Sequence, residues 1–166
     1  MGAAVLRGSR ICMRIGLAAV ADEARREALP NIERMMPAAR DAGVKVMHCL
    51  VQRRPDGLGG NHNAKIFAIG DGSGGEIAIT PGAPGAELLP ELGPASTDLV
   101  LRRWRGIGPM GGTNLDAVNK AYRVVLPRNA VAGIPTDYAN TVIDNMLSLL
   151  ATITTTDKLI EVWKQP

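Results

Sequence analysis

The spacing of apolar residues predicts the first helix between Pro30 and Ala42. Apolar side chains recur there at intervals of three and four residues, which places them on one face of a helix, at positions Ile32, Met35, Met36 and Ala39. Pro30 suits a first helical turn and Gly43 suits a stop. Pro37 removes one backbone donor, so we expect a kink or an interruption at that point. The Ala-, Glu- and Arg-rich stretch 17–29 is also predicted to be helical.

Short apolar runs alternate with further helical patterns along the rest of the chain. Strands are predicted at residues 44–50, 98–101, 123–126 and 151–154, and helices at 114–121, at 135–150 and from Thr155 or Thr156 to Trp163. Such alternation is typical of an α/β three-layer sandwich with a mainly parallel sheet. No linker or internal repeat divides the sequence, so we predict a single domain over residues 1–166.

Residues 51–97 hold half of the glycine and proline residues of the chain, 10 of its 19 glycines and 5 of its 11 prolines. Only a short strand at 76–80 and a short helix at 86–92 are expected within this segment. Long irregular segments inside compact domains are usually functional or disordered. His62 and Asn63 lie in this segment after a predicted strand, where they are candidates for substrate contacts or simply polar loop residues.

Composition narrows the classes of function. The 166 residues are 46% hydrophobic and 21% charged with a net charge of +3, as in ordinary soluble domains. No basic run interleaved with aromatic residues supports a nucleic-acid partner. Arginines interrupt the apolar residues of the N-terminal stretch, so neither a signal peptide nor a membrane span is expected there. Two cysteines without a framework of pairs favour reduced thiols and a cytoplasmic location.

Motifs for metal, phosphate or nucleophilic chemistry are scarce. The glycine-rich stretches match neither a dinucleotide fingerprint nor a P-loop, and the two histidines, His48 and His62, do not have metal-ligand spacing, so no cofactor or metal is expected. Cys49 is predicted near the end of a strand, where a thiol can serve as a nucleophile if a base activates it. The alternative is a small buried hydrophobe. His48 is its neighbour in a strand and therefore points to the opposite face.

Three segments together resemble the isochorismatase-like superfamily, which includes nicotinamidases and other cysteine hydrolases. They are ALPNIERMMPAARDAGVKVMHCLVQRRPDGLGGNHNAKIF (28–67), DLVLRRWRGIGPMGGTNLDAV (98–118) and AYRVVLPRNAVAGIPTDYANTVIDNMLSLLATITTTDKLIEVW (121–163). The resemblance implies a hydrolase with three catalytic residues. An aspartate ends the first strand as the base, a lysine follows the third strand, and a cysteine that attacks a carbonyl carbon begins the helix after the fourth. Members that act on isochorismate replace the thiol and cleave a vinyl ether.

The sequence departs from this pattern at each catalytic position. The first-strand region, residues 2–14, has no aspartate, and Arg103 stands where the family has its lysine. Only Asn119 and Lys120 separate Val118 from the segment that begins at Ala121, whereas the family has a strand and the nucleophile helix there. One central strand–helix unit of about 25–30 residues is therefore expected to be missing. Its loss should leave strand edges and apolar helix faces uncovered unless the strands close up or another chain fills the gap.

These departures favour a catalytically impaired or silent member of the family that acts through assembly or small-ligand binding. The alternatives are an active hydrolase of a small amide, ester or vinyl ether with relocated residues, such as Cys49 with His62 and Arg103, and a disrupted copy without independent function. A small carbonyl compound is the ligand that the resemblance implies. Family members are commonly oligomeric, so a homo-oligomer is expected, with no nucleic-acid or membrane partner.

Overall fold

The computed structural model describes residues 22–60, 79–103, 114–133 and 135–165. Its strands are β1 (Met47–Val51), β2 (Leu99–Arg103), β3 (Val124–Pro127) and β4 (Ala151–Thr154). Its α-helices are α1 (Leu29–Asp41), α2 (Asn114–Asn119), α3 (Thr136–Asn145) and α4 (Thr156–Trp163). Short 3-10 turns occupy Pro90–Leu92, Arg128–Ala130 and Leu147–Leu149. None of the described helices combines the length and apolar character that crossing a membrane requires.

Helix α1 forms where the apolar spacing predicts it, and a π-helical turn over Ala24–Ala28 leads into it. Pro30 lies in its first turn, and Met36 and Ala39 are the residues that it buries. The expected interruption at Pro37 does not occur, since α1 continues through this residue as one helix. A proline costs one backbone hydrogen bond there. Met36 before Pro37 and Ala39 after it are both buried, so the helix is packed on either side of the proline.

The structure corrects the predicted bounds of three other helices. The helix predicted over 114–121 ends at Asn119. The helix predicted over residues 135–150 ends at Asn145, whose side-chain Nδ2 donates to the Thr141 carbonyl oxygen at 2.9 Å, and a 3-10 turn follows. Side-chain amides that bond to the backbone compete with the helical pattern. The helix predicted over 86–92 is reduced to the 3-10 turn Pro90–Leu92. Most of the strand predicted at 76–80 lies outside the described residues, and residues 79 and 80 are in a turn.

The described strands form two parallel pairs, β1 with β2 and β3 with β4. Parallel strands need crossover connections, and in this chain the crossovers contain the long segment between β1 and β2 and helix α3 between β3 and β4. Side chains alternate across β1. His48, Leu50 and Gln52 are buried on one side, whereas Met47 is 45% exposed on the other.

The core lies between α1, the start of β1 and the turn after residue 86. Met36, Leu89 and Leu92 form its buried centre, and partly buried neighbours surround them at Leu29, Ile32, Val46 and Leu88. Val46, the residue directly before β1, packs against this cluster and joins the strand to the core.

Asn129 connects α1 to the second strand pair. Its Oδ1 accepts hydrogen bonds from the backbone nitrogen of Thr156 at 2.9 Å and from the Thr156 hydroxyl at 3.0 Å. Its carbonyl oxygen accepts from Asn31 Nδ2 of α1 at 3.0 Å. Helix α4 is capped by Thr155, as the sequence predicts, because the Thr155 side chain accepts from the backbone nitrogen of Lys158.

Candidate functional site

The carboxyl ends of β1 and β2 meet at one edge of their sheet. The parallel register places Val51, the last residue of β1, beside Arg103, the last residue of β2. Ligands of open α/β sheets gather at this edge, outside the carboxyl ends of the strands. The backbone of Arg103 therefore lies where the resemblance places a catalytic cation, although its side chain is not among those described.

Gln52 directly follows β1 at the same edge and is only 2% exposed. Its Nε2 donates to the Ala86 carbonyl oxygen at 3.3 Å. No donor among the described residues reaches its Oε1. A buried acceptor that lacks a hydrogen-bond donor destabilises the folded state. A ligand that brings a donor to Oε1 of Gln52 would therefore form a favourable hydrogen bond. The sequence analysis did not single out Gln52, because one glutamine after an apolar run carries no distinctive pattern.

Cys49 lies at the third of five positions in β1, beside Leu101 of β2, rather than at the strand's end. Its thiol is free and half-buried, and it faces the side of the sheet opposite His48, Leu50 and Gln52. A nucleophilic thiol needs an adjacent base to activate it. No described side chain makes a hydrogen bond or an ion pair with Cys49, so the described structure does not supply that base.

A buried cluster of polar groups lies at the other end of the strands. Asp98, immediately before β2, has a side chain that is 1% exposed. Arg40 at the end of α1 contacts both of its carboxylate oxygens, from Nε at 2.9 Å and from Nη2 at 2.5 Å. His48 Nε2 lies 2.9 Å from Asp98 Oδ2, and the backbone nitrogen of Ala95 donates to the same oxygen at 3.1 Å.

These contacts fix the charge state of the cluster. Hydrogen bonding from Arg40 holds the pKa of Asp98 well below its ordinary value; burial opposes this effect, and hydrogen bonds from His48 and Ala95 add to it. The same contact raises the pKa of Arg40. An ionised carboxylate only accepts hydrogen bonds, so His48 Nε2 must carry the proton that it shares with Asp98. His48 thus donates to Asp98 at the amino ends of the strands, and it lies on the side of β1 opposite Cys49.

The remaining candidate residues are outside the described ranges. His62 and Asn63 fall in the undescribed residues 61–78, so their proposed substrate contacts stay predictions. The second cysteine, Cys12, for which no role is predicted, falls in the undescribed residues 1–21. Within the described ranges, no group of three or more histidine, cysteine, aspartate or glutamate residues is arranged to hold a metal ion.

A tight turn joins α2 directly to β3. The backbone nitrogen of Tyr122 donates to the Ala117 carbonyl oxygen at 3.0 Å, and that of Ala121 donates to the Val118 carbonyl oxygen at 2.9 Å. This pair of bonds is the Schellman motif that ends many helices. Its left-handed position, usually a glycine, is occupied by Ala121 with φ of 63°. Only residues 120–123 lie between the helix and the strand.

Comparison with known proteins places this geometry in a family. The model of the isochorismatase domain matches residues 9–121. A search of curated proteins found no match. A cysteine hydrolase from Pseudomonas syringae pv. phaseolicola is similar in structure, with a TM-score of 0.69 and 17% identity over 85% of this chain and 82% of that one.

Two further solved structures are similar over comparable lengths. An isochorismatase family protein from Desulfovibrio vulgaris has a TM-score of 0.67 and 24% identity over 83% of this chain and 85% of that one. N-carbamoylsarcosine amidase from Thermoplasma acidophilum has a TM-score of 0.59 and 16% identity over 82% and 86%. At these identities the neighbours establish the α/β fold with parallel strands, and the domain match, which spans more than half of the chain, establishes the family. The chain belongs to the isochorismatase family.

Proposed function

We propose that this chain is a non-hydrolytic member of the isochorismatase family that acts by assembling with copies of itself. The direct turn from α2 to β3 carries the proposal. The resemblance places a strand and the nucleophile-bearing helix at this point of the chain, and residues 120–123 leave no length for either. The match to the family's domain model also ends at this turn, at Ala121.

The other catalytic positions support the same proposal. Arg103 ends β2 where the resemblance implies a lysine. A guanidinium is a broad, permanently charged fork, whereas a lysine ammonium is a compact donor, so the exchange changes how a substrate oxygen would be held. Residues 2–14 contain no aspartate to act as the family's base. The free thiol of Cys49 lies within β1, on the face opposite the buried edge residue Gln52.

An apolar surface on the strands supports assembly. Met47 of β1 and its register partner Leu99 of β2 are 45% and 49% exposed, and Leu101 is 40% exposed on the same face. In three-layer α/β proteins both faces of a parallel sheet are covered. Contiguous exposed apolar surface commonly marks a protein–protein interface. We infer that a second copy of the chain covers this face and buries these three apolar side chains.

The experiment combines intact-protein mass spectrometry with light scattering. The protein is first shown to unfold cooperatively. It is then incubated with p-nitrophenyl acetate and with an activated amide, and the mass of the intact protein is measured over time. We expect no stoichiometric acyl adduct, and hydrolysis no faster with the wild type than with Cys49→Ser. We also expect multi-angle light scattering to give a dimer or larger, and Leu101→Glu to shift the population toward monomer without loss of fold.

Three results would contradict the proposal. A stoichiometric adduct on Cys49 or Cys12, abolished by the corresponding serine variant, would establish an active hydrolase with a relocated nucleophile. A noncooperative melt of the wild type would point to a disrupted copy without independent function. A folded protein that stays monomeric at all concentrations would contradict the proposed self-assembly. A matched control is Leu149→Glu, since Leu149 is 83% exposed in the 3-10 turn before β4, outside the β1–β2 pair, and its replacement should leave the oligomer unchanged.

A further inference from the structure

A cavity of about 330 Å³ lies on the buried side of the β1–β2 sheet, beneath residues 87–94. The apolar side chains that line it are those of Leu50, Leu88, Leu89, Pro90, Pro94 and Val100. Its volume falls in the range of small-molecule sites, roughly 300–1,000 Å³. Aliphatic side chains make up this lining, and none of the described lining residues has an aromatic ring.

Two charged residues border the cavity, and they differ in their partners. Glu87 uses its Oε1 to accept a hydrogen bond from the backbone nitrogen of Gly82 at 3.2 Å. Arg102 of β2 is exposed and makes no hydrogen bond or ion pair within the described part of the chain. An aliphatic enclosure is bordered by a guanidinium that has no partner among the described residues. Such a site is complementary to a molecule with an apolar body and one negative end.

We propose that this cavity binds a small aliphatic monocarboxylate. The hydrocarbon chain would lie against Leu50, Leu89 and Val100, and the carboxylate would pair with Arg102. The register places Arg102 beside Leu50 on the same side of the sheet, so one short ligand spans both. This site differs from the carboxyl edge at Gln52 and Arg103, and its existence does not depend on whether the chain hydrolyses a substrate.

Titration with hexanoate, followed by ¹⁵N–¹H correlation spectra of the whole chain, tests the site. We expect saturable shift changes at the amides of residues 87–89 and 91–93 and at those of Val100 and Arg102, since Pro90 and Pro94 have no amide proton. The substitution Arg102→Met removes the cation and should weaken hexanoate binding about tenfold, in line with the loss of one charge-assisted hydrogen bond. Hexanamide, which keeps the hydrocarbon chain but lacks the charge, should bind the wild type about tenfold more weakly than hexanoate and should bind Arg102→Met as well as it binds the wild type.

A matched charge control separates specific binding from general attraction. Lys120 is exposed on the turn after α2, so Lys120→Met lowers the net charge by the same amount and should leave the hexanoate affinity unchanged. The proposal fails if a folded wild-type spectrum shows no saturable change. It also fails if the changes are confined to Gln52 and Arg103 and leave residues 87–93 unshifted, or if Arg102→Met binds hexanoate as tightly as the wild type does.

Discussion

Replacing Ala121 with glycine should stabilise the protein, although the substitution removes a methyl group. Ala121 follows α2 with φ of 63°, in the left-handed region that side chains with a Cβ avoid. Its amide donates to the Val118 carbonyl oxygen in the Schellman turn that joins α2 to β3. Glycine adopts this backbone conformation without steric cost and keeps both hydrogen bonds of the turn.

The magnitude follows from two opposing effects. Left-handed backbone costs an L-residue roughly 1–2 kcal/mol, and glycine removes that cost. Glycine also has more freedom in the unfolded chain, which opposes folding by about 0.4–1 kcal/mol relative to alanine. The net expectation is a gain of about 0.5–1 kcal/mol in the free energy of unfolding. With a urea dependence of about 1–3 kcal/mol per molar, the midpoint should rise by about 0.2–1 M.

Urea unfolding followed by circular dichroism measures the change, and Ala42→Gly provides the control. Ala42 is the residue directly after α1, one position before the left-handed Gly43, and has φ of −82°, so glycine relieves nothing there and should lower the stability by about 0.4–1 kcal/mol. The two substitutions should therefore act in opposite directions. A loss of stability in Ala121→Gly comparable to that in Ala42→Gly would refute the left-handed turn and with it the direct passage from α2 to β3.

Three further predictions concern the buried contacts. Asn129→Ala leaves two donors of the fully buried Thr156 unpaired, so it should cost about 2–4 kcal/mol by urea unfolding, and a loss below about 0.5 kcal/mol would contradict the contact. The pKa of Asp98 is lower in the folded protein than its ordinary value of 3.8, so its contribution to stability is complete above about pH 5 and is lost as the pH falls below that value. The Asp98→Asn variant should lose less stability than the wild type as the pH falls below about 5. An equal loss in both proteins would contradict the contribution of the Asp98 carboxylate. Leu50→Ala should cost about 2–5 kcal/mol because Leu50 is 2% exposed, whereas Leu149→Ala should be nearly neutral, and equal losses would be inconsistent with the core described.

The spacing of apolar residues along the sequence was enough to identify the helices and strands in which that spacing is regular. The apolar spacing of residues 30–42 identified α1 because one face of a helix must be buried whatever it packs against. The apolar runs identified all four described strands within three residues at either end, and β4 without error. The resemblance of three segments identified the family, which the domain match over residues 9–121 confirms. The short interval between Val118 and Ala121 was also visible without any structure.

Tertiary structure decided which residues meet. Nothing in the sequence indicates that the Asp98 carboxylate forms hydrogen bonds with both Arg40 and His48. These contacts depend on the register of β1 against β2 and on where α1 ends. The same register set the position of Cys49 within β1 and left Gln52 buried at the carboxyl edge. The left-handed backbone of Ala121 was equally hidden, since alanine normally signals helix rather than a turn. Pairing between distant segments is a property of the packed chain, and a local pattern cannot encode it.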